Sequence, residues 1–334
     1  MKRLSMATLF CVLVPFAGTA GQTTSYYDQT YLRAPYNFAL RSRFPGVDAL
    51  FNSFDYGHAI LYETLWREPN APADRLDQKE FGFITTRLLR NPPSVPLDEE
   101  AIAPNWSRLA PEVLMMFDWA HMLHRQLYDI WSDDKIPPAA KDERVQAALR
   151  YYKSRPALAL SSQPKSMNLM EAQSYSLAFR KRFPRYNGLI WSYHWLQMAL
   201  YDALMVPGEV GRESAVAETV RRFWTMLDGA GEALPSVMPQ SAAVAPCFSA
   251  RYPEAAIIFD NLHSLHDVVS DILANPSVPR SQKRATLLGA AATYRDPTTS
   301  VTSESDWRHM AADMGVQRMG GVSAASATCT EPGH

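Results

Sequence analysis

The residues that could do chemistry in this chain are histidines and aspartates that recur at fixed spacing. The segment PEVLMMFDWAHMLHRQLYDI (111–130) matches PEAAIIFDNLHSLHDVVSDI (253–272) at an offset of 253 − 111 = 142. The shared polar positions are Asp118, His121, His124 and Asp129 in the first segment and Asp260, His263, His266 and Asp271 in the second. Imidazole and carboxylate groups at three-residue spacing are typical of metal ligands presented by one helix.

Two further histidines lie in earlier segments that also match. YNFALRSRFP (36–45) matches YSLAFRKRFP (175–184), and LFNSFDYGHAILYETL (50–65) matches LIWSYHWLQMALYDAL (189–204), at an offset of 175 − 36 = 139. This alignment places His58 opposite Gln197 and His194 opposite Asp55. Each segment therefore keeps one histidine, but the histidine stands at a different turn in each.

The geometry of a helix predicts that these side chains converge. His121 and His124 are three residues apart, so they project about 60° from each other and about one turn apart in height. The predicted metal ligands are His58, His121, His124, His194, His263, His266, Asp55, Asp118 and Asp260. Asp129 projects about 140° away from His124, so we expect it outside the ligand set, orienting a ligand or pairing with a repeated arginine.

A structural role is the main alternative for these histidines. A histidine on a partly apolar helix is commonly a core residue hydrogen-bonded to a neighbour, and a duplication copies structural residues as well as functional ones. The exchange of position between His58 and His194 favours metal binding, because a structural residue tends to stay in place. Six buried imidazoles without partners would otherwise be costly.

The elements that must position these residues are predicted to be helices. Apolar residues recur every three or four positions in VLMMFDWAHMLHRQLYDIW, and no comparable stretch alternates as a strand does. Pro111 and Pro253 suit the first turn of a helix. The predicted helices are 47–66, 111–132 and 139–153 in the first half and 186–205, 253–274 and 281–294 in the second, with further helices near 80–90 and 212–228. The sequence predicts an all-α helical bundle.

The matching segments divide the chain into two similar halves. Register holds over roughly 120 residues with one shift of three, which indicates a tandem duplication. We predict helical repeats at 36–156 and 175–297, a linker at 157–174 and a C-terminal tail at 298–334. Two repeats are too few for a solenoid, so both are expected to form one domain around a pseudo-two-fold axis.

Three histidines in each half predict two metal ions. Taken by halves, one ion would use His58, His121 and His124, and the other His194, His263 and His266, although facing helices of different halves are also compatible. Imidazole suits copper, iron, zinc and nickel, while aspartate favours iron or manganese. Six histidines from four helices resemble, in ligand count alone, the binuclear copper sites of tyrosinases and haemocyanins. No motif of those families occurs.

Three functions follow from such a site. The first is an oxidoreductase that uses copper or iron with oxygen, a peroxide or a small reductant. The second is a zinc-type hydrolase with metal-bound water and a carboxylate base, for which the His266-Asp267 dipeptide is a weak indication. The third is a non-catalytic carrier of metal or haem. The substrate or redox partner is not indicated, and no G-x-S-x-G, P-loop or G-x-G-x-x-G motif occurs.

Composition and the N-terminus bear on location. The 334 residues carry a net charge of −1, which argues against a nucleic-acid surface. Lys2 and Arg3 precede an apolar stretch ending in AGTA, which predicts a signal peptide at 1–20 and export to the periplasm or medium, with an uncleaved anchor less favoured. No later transmembrane segment is predicted. Beyond the signal, Cys247 and Cys329 remain, and an oxidising compartment permits a disulfide between them.

Overall fold

A computed structural model describes residues 29–70, 72, 74–96, 98–229 and 234–328. The predicted signal peptide, Cys329 and His334 lie outside these residues. Throughout the described ranges the regular structure is helical, with one isolated bridge between Lys165 and Val301 as the only strand-like pairing. The predicted all-α fold class is confirmed, whereas the two-fold relation and the repeat boundaries stay predictions.

Eight longer helices form the body of the protein. They are α1 (Pro45–Arg67), α2 (Pro111–Ser132), α3 (Pro138–Lys153), α4 (Pro184–Met205), α5 (Glu209–Asp228), α6 (Pro253–Ala274), α7 (Arg280–Arg295) and α8 (Glu304–Asp313). The bounds of α1 to α7 lie within a few residues of the predicted ones, whereas α8 falls in the segment predicted as a C-terminal tail. Five of them begin at proline, whose missing N–H costs nothing in the first turn.

Shorter helices connect the long ones. They are Ala39–Arg43, Glu99–Ile102, Pro104–Leu109, Asn168–Glu171, Ala178–Arg182, Ser241–Val244 and Pro246–Arg251, with 3₁₀ turns at Val316–Arg318 and Ala324–Thr328. The helix predicted near 80–90 is instead a wide segment in which π-helical turns (Arg75–Glu80 and Ile84–Leu88) flank one α-helical turn (Phe81–Phe83). The two halves therefore differ here, because the matching region of the second half is the regular helix α5.

The centre of the bundle consists of α1, α2, α4 and α6. α1 packs against α4 and α6, and α2 packs against the same two helices. α4 is buried without interruption from Tyr186 to Leu204, and α6 from Ala255 to Ala274. A helix that is buried on all sides lies in the core and not at the surface. By contrast α3 buries a single face, with Val145, Leu149 and Tyr152 inward.

Buried acids fasten the short helices to the central ones, in the same way in both halves. Asp129 accepts hydrogen bonds from the backbone N–H groups of Phe38 (2.8 Å) and Leu40 (2.9 Å). Asp271 accepts from Leu177 and Phe179, both at 2.7 Å. Each carboxylate thereby binds the free N–H groups at the start of a short helix whose N-cap residue has positive φ, 65° at Phe38 and 64° at Leu177. Asp129 thus accepts hydrogen bonds from backbone amides. The sequence had predicted instead that it orients a metal ligand or pairs with an arginine.

Two more pairs of contacts follow the same pattern. Glu63 accepts from the backbone N–H groups of Asn105 and Trp106, and Asp202 from those of Cys247 and Phe248. The buried Lys141 donates to the carbonyls that end α2, and Lys283 to those that end α6. The aligned acids and lysines therefore do the same structural work, which is to satisfy the free groups at helix ends.

We expect Asp129→Ala and Asp271→Ala to destabilise the protein to a similar degree. Each change leaves two backbone donors without acceptors, which costs about 1–3 kcal/mol in the free energy of unfolding. Asp→Asn at either position should cost less, because one carbonyl oxygen remains. Urea denaturation measures the loss, and Glu143→Ala on the exposed face of α3 is the control. Alanine variants as stable as this control would contradict the capping role.

The described part of the predicted C-terminal tail, 298–328, packs against the second half. Trp307 of α8 donates its indole N–H to Asp260 at 2.7 Å. Trp195 of α4 donates to the carbonyl of Gly321 at 2.8 Å, and Gly320 lies so close to the same indole that a Cβ would come within 2.6 Å of it. Gly320 also has φ +93°, which favours glycine.

Candidate metal centre

The four central helices bring the six predicted histidines into one buried cluster. His58 lies on α1, His121 and His124 on α2, His194 on α4, and His263 and His266 on α6. Ring centroids are 4.5 Å apart for His58 and His266, and 4.0 Å for His194 and His263. The rings of His121 and His266 are 5.3 Å apart, and those of His124 and His263 5.8 Å. The six rings therefore form a continuous group.

Three of the histidines have the geometry of a metal site. His58, His194 and His266 each offer one ring nitrogen such that the three atoms lie within 4.8 Å of one another. Among the His, Cys, Asp and Glu side chains of the described ranges, no other group of three meets this condition. The triad takes one histidine from the first half and two from the second, because α1 packs directly against α6. The predicted grouping by halves is therefore not the one that the structure presents.

Six of the twelve ring nitrogens of the cluster are buried without hydrogen-bond partners among the described residues. His58 donates from Nδ1 to the carbonyl of Phe54 at 2.9 Å, which leaves the lone pair on Nε2. The buried nitrogens without a partner in the described part of the chain are His58 Nε2, His124 Nε2, His194 Nδ1, His263 Nδ1, His263 Nε2 and His266 Nε2. Buried polar atoms are normally hydrogen-bonded, so six unpaired nitrogens in one place are available to a ligand. Metal ions would accept these lone pairs.

Burial keeps the imidazoles neutral. It lowers the pKa of His58 to about 4, with the neighbouring His121 adding to the effect. It lowers the pKa of His121 to about 3, with Arg125 as the second cause. The pKa values of His124, His194, His263 and His266 also lie well below the ordinary value for the same first reason. Neutral imidazole is the form that binds metals, so no proton has to leave at neutral pH.

His124 is held by a hydrogen-bonded tyrosine pair. Its Nδ1 lies 2.8 Å from the hydroxyl of Tyr201, and its ring stacks on Phe259 at 3.5 Å between centroids. Tyr201 in turn hydrogen-bonds to Tyr128, which donates to the carbonyl of Gln197 at 2.7 Å. If His124 Nδ1 donates to Tyr201, its Nε2 carries the lone pair. Such outer partners fix the orientation and tautomer of a metal-binding histidine.

The three predicted aspartates lie at the border of the cluster and are engaged elsewhere. Asp55 forms an ion pair with Arg125 at 2.8 Å and lies 3.8 Å from His121 Nδ1. Asp260 accepts from the Ser241 hydroxyl at 2.6 Å and from Trp307 at 2.7 Å. Asp118 is half-buried and lies near Glu99, whose pKa is raised by burial and by Asp118. None of the three joins the triad.

Arg125 is a buried neighbour of the cluster that the sequence patterns did not single out. It is buried beside His121 and binds Asp48 (3.3 Å) and Asn52 (3.0 Å) in addition to Asp55. The aligned position of the second half, 125 + 142 = 267, holds Asp267, which lies 4.0 Å from Arg180. The available signal in the sequence was the reversed charge at these two aligned positions, which lie within otherwise matching segments. A charged residue on a buried helix needs a partner of opposite charge.

Other candidates lie apart from the cluster. His309 is exposed on α8. Asp267, of the His266-Asp267 dipeptide, has its pKa raised well above the ordinary value by burial, and its Oδ1 has no partner in the described ranges. Cys247 is disulfide-bonded and so offers no thiolate.

Comparisons with known proteins find no match to this chain. No protein-family model matches the chain, and neither the curated proteins nor the solved structures contain a significant match. None of the described helices combines the length and the apolar character that crossing a bilayer requires.

Proposed function

We propose that this chain is an exported metalloprotein whose two duplicated halves enclose a binuclear metal site, and that it acts as an oxidoreductase with copper or iron. One observation carries the proposal. Six buried, neutral imidazoles touch one another, three of them hold their nitrogens within 4.8 Å, and most have a nitrogen without a hydrogen bond. A structural network of histidines would pair these nitrogens.

The two-fold arrangement of the halves is supported by matched contacts. Asp129 and Asp271 cap equivalent short helices, and Lys141 and Lys283 bind equivalent helix ends. The central helices also meet crosswise, with α1 on α6 and α2 on α4. A pair of related units that share one core commonly has a two-fold axis.

Two ions are proposed because the histidines outside the triad form a second set. His121, His124 and His263 remain, and the rings of His124 and His263 are 5.8 Å apart. The two sets adjoin, since His194 stacks on His263 at 4.0 Å. Paired metals in binuclear sites are about 3.5–4 Å apart. The second set is not within ligand distance in this structure, so we expect its rings to turn when the second ion binds.

The chemistry of the donors favours a redox metal. All three triad donors are imidazoles, and the nearby carboxylates of Asp55 and Asp260 are held by other residues. Imidazole suits copper in particular, and also iron, nickel and zinc. Aromatic rings line the cluster, with Phe117 4.1 Å from His266 and Phe259 3.5 Å from His124. They would exclude bulk water from a reactive metal.

A zinc-type hydrolase is the second candidate, because three histidines around one position are also a catalytic zinc arrangement. It would need a carboxylate base, and Asp55, which lies 3.8 Å from His121 Nδ1, is paired with Arg125. A haem carrier is less favoured. The histidine rings touch one another directly, which leaves no space for a porphyrin between them.

Metal analysis of protein purified from its exported fraction tests the proposal. We expect about two copper or iron ions per chain, a visible or EPR spectrum, and oxygen or peroxide consumption with a one-electron reductant. One colourless zinc ion with esterase or phosphatase activity would support the hydrolase. Bound metal without turnover would indicate a carrier, and a chain that takes up no metal would overturn the metalloprotein proposal.

A further inference from the structure

A line of aromatic rings runs from the histidine cluster toward the surface. The rings of His124 and Tyr201 are 5.6 Å apart, and Tyr201 stacks on Phe248 at 3.9 Å with an interplanar angle of 12°. Phe248 is 5.5 Å from Tyr252, between centroids. Each ring contacts the next, so no gap of solvent or aliphatic packing separates His124 from Tyr252.

The line ends at a tyrosine with a proton acceptor. The hydroxyl of Tyr252 donates to Asp142 Oδ1 at 2.5 Å, and Arg251 binds both oxygens of the same carboxylate at 2.8 Å. The side chain of Asp142 is 49% exposed, whereas Tyr252 is 3% exposed. A buried phenol is thus joined by a short hydrogen bond to a group in contact with solvent.

The first half contains the beginning of such a line but lacks its end. Tyr62 aligns with Tyr201, and Trp106 with Phe248, and their rings are 4.9 Å apart. The residue at the position of Tyr252 is 252 − 142 = 110, a fully buried alanine. The phenol and its acceptor are therefore specific to one half. General core packing, which both halves need, does not account for them.

We propose that His124, Tyr201, Phe248 and Tyr252 form a one-electron route between the metal centre and the surface, with Tyr252 the residue that is oxidised and Asp142 the acceptor of its proton. This inference rests on the proposed redox function. It assigns to the site an electron path from the surface. It also assigns a class of partner, a one-electron reductant that approaches the surface around Asp142.

The step balances in electrons and protons. With a metal oxidised by dioxygen or a peroxide held at the histidine cluster, Tyr252 would lose one electron to it through the rings of Phe248 and Tyr201. The phenolic O–H bond breaks and its proton passes to the Asp142 carboxylate, which gives a neutral phenoxyl radical and a carboxylic acid. A one-electron reductant in solution then returns the electron, and Asp142 returns the proton.

Tyr252 is the residue in this line that can lose a proton together with an electron. Phe248 has no ionisable group and serves as a bridge. Tyr201 faces His124 Nδ1, which carries a proton when Nε2 binds a metal, so it has no base there. Trp131 adjoins Tyr252 at 6.2 Å, but Arg251 and Lys141 each lie 5.2 Å from its ring and disfavour a cation radical.

Rapid-freeze EPR on the full metal-loaded protein tests the route. After reduction and mixing with dioxygen or hydrogen peroxide, the parent should show a tyrosyl radical, and Tyr252→Phe should remove it while keeping the ring. Asp142→Asn and Phe248→Leu should each slow radical formation by about tenfold, about 1.4 kcal/mol in the barrier. Tyr151→Phe is the control, since Tyr151 donates to the Thr30 carbonyl outside this line. Metal content and melting temperature are measured for each variant.

The outcomes separate the route from the function it rests on. A metal-loaded parent that reacts with the oxidant but forms no tyrosyl radical would overturn the route and leave the redox function standing. The same holds for a radical of equal yield in Tyr252→Phe. A parent without metal, or without any metal-centred change on oxidation, would overturn both.

Discussion

Replacing His266 with alanine is expected to lower the affinity for metal by about 100-fold or more. His266 belongs to the triad and contacts His58 at 4.5 Å and His121 at 5.3 Å between centroids. Loss of an outer partner alone costs about 10–100-fold in metal affinity, and a ligand should cost more. Competition with a chelator of known affinity measures the change, and metal per chain is determined on the same sample.

Gln197→Ala is the matched control. Gln197 aligns with His58, is buried, and has no part in the triad. We expect it to keep its metal, while His121→Ala and His263→Ala should lose one of two ions and the activity with it. If the cluster were a network of hydrogen bonds, the parent would contain no metal. All of the substitutions would then lower stability by about 1–3 kcal/mol.

Bound metal is expected to remain while the pH falls through 6.5 and to leave only near pH 4. Protons compete with a metal only at pH values where the metal-free site binds them. An ordinary histidine has a pKa of about 6.5, but burial lowers that of His58 to about 4 and that of His121 to about 3. Affinity should therefore be nearly constant from about pH 8 to 5, then fall by up to about tenfold per pH unit for each protonated ligand. Equilibrium dialysis over this range measures it.

Circular dichroism at each pH must accompany the dialysis, because the stability of the fold also changes. Histidines with a depressed pKa stabilise the folded protein fully above about 6.5, and this contribution is lost as the pH falls toward 4. Asp129 and Asp202, whose pKa values burial raises to about 7, act in the opposite direction between about pH 7 and 4. Release of half the metal near pH 6.5 from a protein that is still folded would contradict the prediction.

The sequence was sufficient to predict the elements of the site but not their assembly. Apolar periodicity and the prolines at 111 and 253 placed the central helices, and repeated spacing identified the histidines. Which histidines share an ion depends on α1 packing against α6, a contact between residues about 200 positions apart. Local spacing carries no information about that contact.

The surroundings of the predicted aspartates show the same limit. Asp260 was predicted as a ligand from its place before His263, yet Ser241 and Trp307 of distant segments bind its oxygens. Asp55 is neutralised by Arg125, which lies on another helix. The partner of a buried charge is set by tertiary packing, and a sequence pattern states only that a partner must exist.

The composition of the triad determines how metal binding depends on protein concentration. His58 lies in one half, and His194 and His266 lie in the other, so neither half holds three of these donors alone. If the halves were separate chains, the fraction able to bind metal would fall with dilution. The connection through residues 157–174 keeps them at an effective concentration on the order of millimolar. Metal occupancy then depends on the supply of metal and not on the amount of protein.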